Sequence, residues 1–157
     1  MRKRIIERDT QQVSEAVGDW LDLESLVQAE LTSEDASFPI ESALAAGAGP
    51  GWRAAGAGEQ TLRLLFDHPQ RISLIRLLFD EPDQQRTQEF TLRWSQDGGA
   101  TYHEIARQQY NFSAPDATRE SEAFNVDLHD VNVLELHIIP DISGGGACAS
   151  LSRWSVA

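Results

Sequence analysis

The chain has 157 residues, 24% charged and 41% hydrophobic, a length and balance that suit one packed domain and exclude a wholly disordered chain. Twenty-five acidic residues against 13 basic ones leave a formal charge of -12, which repels phosphate backbones and anionic membrane surfaces and makes nucleic acid a poor partner. The single cysteine, Cys148, excludes an internal disulfide, and no stretch approaches the roughly 20 apolar residues of a membrane span.

The opening MRKRIIERDT is basic, but Glu7, Arg8 and Asp9 follow Ile5 and Ile6 at once and leave no apolar signal-peptide core; the expectation is a cytoplasmic protein. Residues 1–19 are polar and without sustained period, and are expected to form an arm or an added helix outside a single domain spanning 20–157. WLDLESLV, from Trp20, fits both a helical and a strand period, whereas QAELTS (28–33) alternates as a strand does. Between Phe38 and Gly58 the run AAGAGPGWRAAGAG is too rich in glycine for a helix and predicts a long loop, with one helical turn at 42–46. It carries Trp52 and Arg53, a large aromatic and a cation.

Strand signals then follow closely. TLRLLFD (61–67) and ISLIRLLF (72–79) flank HPQ, read as a turn, and EFTLRWS (89–95) alternates Phe90, Leu92 and Trp94 inward with Glu89, Thr91 and Arg93 outward. Ser95 to Gly99 is expected to be a hairpin corner, because Asp97-Gly98 tolerates positive φ and another strand-like run, YHEIAR, follows. AFNVDL (123–128), VLELHII (133–139) and SLSRWSV (150–156) complete about eight short strands with little helix. This is the pattern of an all-β, antiparallel sandwich or barrel.

Catalytic constellations are missing from the sequence: there is no GxSxG, Cys148 lies in GGGACAS, and His68, His103, His129 and His137 are far apart without metal-ligand spacing. No cofactor or metal is called for. Asp80, Glu81, Asp83 and Glu89 gather near one loop, where a solvated acidic surface is the plainer reading. RQQYNFSAPDATRE (107–120) reads as a long polar loop carrying Arg107, Gln109, Tyr110, Asn111 and Arg119. Its aromatic faces can stack on sugar C–H surfaces while its amides and guanidinium groups bond hydroxyls. Arg86, from the preceding polar loop, joins Trp52 and Arg53 in the same candidate set.

In order, LTSEDASFPIESAL with the loop ending GPGWRA, EFTLRWSQDGGATYHEI, and LELHIIPDISGGGACASLSRWSVA resemble the galactose-binding-like family of discoidin and coagulation-factor C-type domains, bacterial members in particular. The resemblance implies a jelly roll of about eight strands, with ligands met by loops at one end of the sandwich. Those would be the loops of Trp52 and Arg53, of 80–88 and of 107–119. It further implies a non-catalytic binding module for a carbohydrate or glycan-like ligand; the alternative is an intracellular protein-interaction module of the same fold. The calcium held by some members does not map onto this sequence.

Overall fold

The computed structural model of the chain describes residues 20–45, 47 and 49–157; the expected N-terminal arm, residues 1–19, lies outside them. Short helical turns α1 (Leu23–Leu26) and α2 (Glu41–Leu44) accompany eight strands. These are β1 (Val27–Leu31), β2 (Trp52–Ala57), β3 (Gln60–Asp80), β4 (Arg86–Ser95), β5 (His103–Phe112), β6 (Arg119–Ile139), β7 (Cys148–Leu151) and β8 (Arg153–Val156).

β3 and β6 are each 21 residues long and pair antiparallel along nearly their whole length. The ladder slips between Leu65 and Leu74, where Asp67, His68, Pro69 and Arg71 are solvent-exposed. Pro69 has no N–H to give to a partner strand, and on β6 Asp130, in the same irregular stretch of the ladder, takes φ 55°. The paired ribbon bends there and passes from one layer of the sandwich to the other. HPQ is therefore a corner within one strand, not the turn between two that the sequence predicts, and 123–128 and 133–139 likewise fuse into β6.

The first half of β3 and the last part of β6, with β1, β4 and β5, form one antiparallel layer in the order β1-β3-β6-β4-β5. Beyond the bend, β8 adds to β3, and β2 pairs with β7. Phe90 on β4 meets Phe79 (ring centroids 5.3 Å apart) and Phe124 (6.3 Å), residues of β3 and β6 with which it shares no ladder contact. These rings join the layers through the core, together with Leu92, Leu134, Leu136, Ile138 and Trp154, all fully buried. The chain is thus an antiparallel β-sandwich, as the alternation requires.

The corner at Ser95 is also as expected. Ser95 Oγ donates to Asp97 (2.6 Å) and accepts from Gly99 N–H (2.9 Å), while Gly98 and Gly99 take φ 72° and 95°. Two expected loops are strands instead. β2 occupies the end of the glycine-rich run, and Arg107 to Phe112 belong to β5, leaving a connection of only 113–118 before β6.

Trp52 corrects the sequence reading most plainly. It is 1% exposed, and its indole N–H donates to Ser33 C=O at 3.0 Å, so it is a core anchor with no face for a ligand. Trp52→Ala is expected to lower unfolding free energy by about 3–5 kcal/mol, read from a urea transition; a loss below about 1 kcal/mol would contradict this placement.

Candidate functional site

On β4 the alternation that sends Arg86, Gln88, Phe90 and Leu92 inward sends Thr87, Glu89, Thr91 and Arg93 to the outer face. Register sets neighbours beside them. Glu89 stands between Ile139 on β6 and Gln109 on β5, and Thr91 between His137 and Arg107. Gln109 donates to Glu89 at 3.2 Å, Arg107 approaches Glu89 at 3.8 Å and Glu104 at 3.2 Å, and Asn111 accepts from Thr87 at 3.2 Å. Arg107, Gln109 and Asn111 therefore share one exposed face of an edge strand.

Where β3 begins and β6 ends, the β2–β3 turn and the 140–147 loop rise beside this face and enclose a groove of about 530 Å³. Glu59, Glu89, Gln109, Asp141 and Ile142 line it, with Gly144 and Gly145. Ile142 is 47% exposed, and Glu59 is tied to His137 Nε2 at 3.3 Å. The wall loop is built locally: Asp141 accepts from Ser143 N–H (3.0 Å) and Gly144 N–H (3.0 Å). Ile142 N–H donates to Thr87 C=O (2.8 Å), and Gly58 N–H donates to Ala147 C=O (3.3 Å).

Beneath these loops lies Arg86, 2% exposed. Its guanidinium donates to Glu81 (2.8 Å), to Pro140 C=O (2.8 Å) and to Gln88 (3.2 Å), and stacks over Phe112 at 4.8 Å. Burial raises the Glu81 carboxyl, but Arg86 and the N–H groups of Asp83 and Gln84 outweigh it and hold the group below the usual carboxylate range. Gln88 in turn donates to buried Glu120 at 3.1 Å. There burial, aided by Glu122, pushes the carboxyl up to about 7.

Of the residues singled out from sequence, Gln109 lines the groove, with Arg107 and Asn111 beside it on the same face. Arg86 is corrected from ligand contact to buried support. Tyr110 packs edge-on against Phe112 (4.9 Å) toward the core. Arg53 lies over Phe38 (4.6 Å) on β2, and Arg119 pairs with Asp80 (2.8 Å) at the start of β6; neither lines the groove. The supposed acidic cluster is dispersed, since Asp80 serves Arg119 and Ser152, Glu81 serves Arg86, and Glu89 lies on the outer face. Among the described residues no group of side chains could hold a metal ion. Glu59, Asp141 and Ile142 were missed, although the outward phase of Glu89 was readable.

No protein-family model matches the chain, and no curated protein matches it significantly. Solved structures do. The family 32 carbohydrate-binding module of C. perfringens NanJ, in complex with galactose, is 14% identical over 87% of this chain and 96% of its own, with a TM-score of 0.65. A second Clostridium perfringens module of that family, in complex with GalNAc-beta-1,3-galactose, is 16% identical over 87% of this chain and 98% of its own (TM-score 0.61). Chitosan-binding module 1 from a Paenibacillus sp. IK-5 chitosanase/glucanase is 16% identical with the same coverages (TM-score 0.57). At these identities the likeness establishes the fold alone: the chain is an antiparallel β-sandwich folded like these modules.

The raised carboxyl of Glu120 has a thermodynamic consequence. Because its folded pKa lies above the unfolded value of 4.5, its stabilisation is complete below pH 4.5 and is lost as pH rises toward 7. Glu120→Gln keeps an acceptor for Gln88 and does not titrate. The stability of this variant relative to the parent is expected to increase across pH 4.5–7, by up to roughly 3 kcal/mol, in urea unfolding at stepped pH; a difference constant with pH would refute this.

Proposed function

We propose that the domain is a non-catalytic carbohydrate-binding module and that the groove over Glu89 and Gln109 takes the sugar. The observation that carries this reading is the Glu89–Gln109 pair at the floor of an open groove walled by exposed Ile142 and two glycines. A carboxylate accepts from vicinal hydroxyls, a carboxamide both donates and accepts, and an aliphatic wall covers sugar C–H surface. The fold is one on which the structural neighbours present galactose, an N-acetylgalactosamine disaccharide or chitosan sites, so its use here for a sugar extends a shared scaffold by analogy.

Binding rather than hydrolysis fits the acids of the groove, each held by a neighbour. Glu89 accepts from Gln109, Glu59 meets His137, and Asp141 closes its own turn. Three carboxylates with no arginine on the lining also favour neutral or amino sugars over uronates.

Calorimetric titration with galactose, N-acetylgalactosamine, chito-oligosaccharides and a uronate tests this. At least one neutral or amino sugar is expected to bind, and Gln109→Ala and Glu89→Gln are each expected to weaken it by about tenfold. Silence to the whole panel, or binding untouched by both substitutions, would sink the proposal.

A further inference from the structure

A second groove, of about 420 Å³, lies between the outer face of the β8–β3–β6 layer and the segment carrying α1 and α2. Register fixes its floor. Arg76 lies opposite Ser155 and Ala123, and Leu78 lies opposite Arg153 and Ser121. Arg153 therefore lies beside Leu78 and Arg76 two residues before it on the same strand, which makes the two arginines diagonal neighbours. Trp20, Leu21 and Leu44 line the other side, and among the described residues no acidic one lines it.

Most of the described arginines elsewhere are matched by a carboxylate, the exception being Arg53, which lies over the Phe38 ring. Arg63, Arg71, Arg86, Arg93, Arg107 and Arg119 each meet a carboxylate. Among the described residues Arg76 and Arg153 meet none, although the chain carries an excess of acids. Two cations left over beside an apolar trough, in a cavity of small-molecule size, select for a ligand with an anionic head and an apolar body.

We propose that this groove binds a small amphipathic carboxylate, its carboxylate between Arg76 and Arg153 and its apolar part along Leu78, Leu44 and Trp20. The site is on the other layer from the sugar groove, shares no lining residue with it, and stands whether or not a sugar binds there.

The test uses the full chain and three probes of equal length: decanoate, 1-decanol and decyltrimethylammonium, titrated by calorimetry. Decanoate is expected to bind at one site per chain, with the alcohol and the cation at least about tenfold weaker. The double variant Arg76→Gln, Arg153→Gln and the single variant Ser121→Glu, which sets a negative charge beside Leu78, are each expected to lose decanoate by a similar factor, while Gln109→Ala retains it. Equal binding of decanol, or decanoate binding unaffected in both groove variants, would overturn the proposal. So would failure of decanoate to bind at all, including where light scattering shows a second copy covering the groove.

Discussion

The loops at one end of this sandwich converge on a single guanidinium. Arg86, the first residue of β4, reaches Glu81 before it in the chain and Pro140 far beyond it, and rests on Phe112 at the end of β5. A buried cation is costly unless its donors are used, and removing a partner from such a group typically costs about 3–5 kcal/mol. That penalty makes the three segments depend on one another. Since Pro140 and Ile142 are held by neighbouring residues of β4, Arg86 by its side chain and Thr87 by its carbonyl, the groove wall stands in fixed relation to Glu89 on its floor.

The period-two alternation was the legible part of the sequence. It placed Phe90 and Leu92 inside and Glu89 outside, and the Ser95–Gly99 corner followed from side-chain chemistry that acts within a few residues. What it did not carry was continuity through bends. His68-Pro69-Gln70 has turn chemistry, yet tertiary pairing with β6 keeps the strand going around a corner. Arg107 to Phe112 read as a loop because an edge strand with a solvated outer face is polar at every second position and has only Tyr110 and Phe112 to mark the inner one.

Trp52 and Arg86 were misread for a shared reason: burial of a residue with polar atoms depends on partners distant in sequence. Trp52 needs Ser33 for its indole, and Gly51, at φ 81°, lets the chain enter β2 so close to β7 that a Cβ would sit 2.6 Å from the carbonyl of Leu151. Arg86 needs Glu81, Pro140 and Phe112 together. Gln109 was singled out because an amide flanked by a cation and aromatics suggests recognition, although the strand that carries it along the groove went unseen.

Charge is arranged as well as accumulated. Across the outer face of the larger layer, Glu30, Arg63, Glu135, Arg93 and Glu104 alternate in sign from strand to strand, and Glu135 is buried between its two arginines. Burial raises its carboxyl, but the hydrogen bonds from Arg63 and Arg93 prevail and hold it below the ordinary range. Such rungs consume cations, which is why the unmatched arginines on the other layer stand out.

The dependence of the loops on Arg86 is tested most directly by amide hydrogen exchange on the parent chain and on Arg86→Gln. Protection should fall together at Asp83, Gln84 and Ile142 while the N–H groups of Leu134 and Leu136 in the β6 ladder stay protected. Loss confined to residues 81–84, with Ile142 unchanged, would show that the groove wall stands without the guanidinium and would contradict the account.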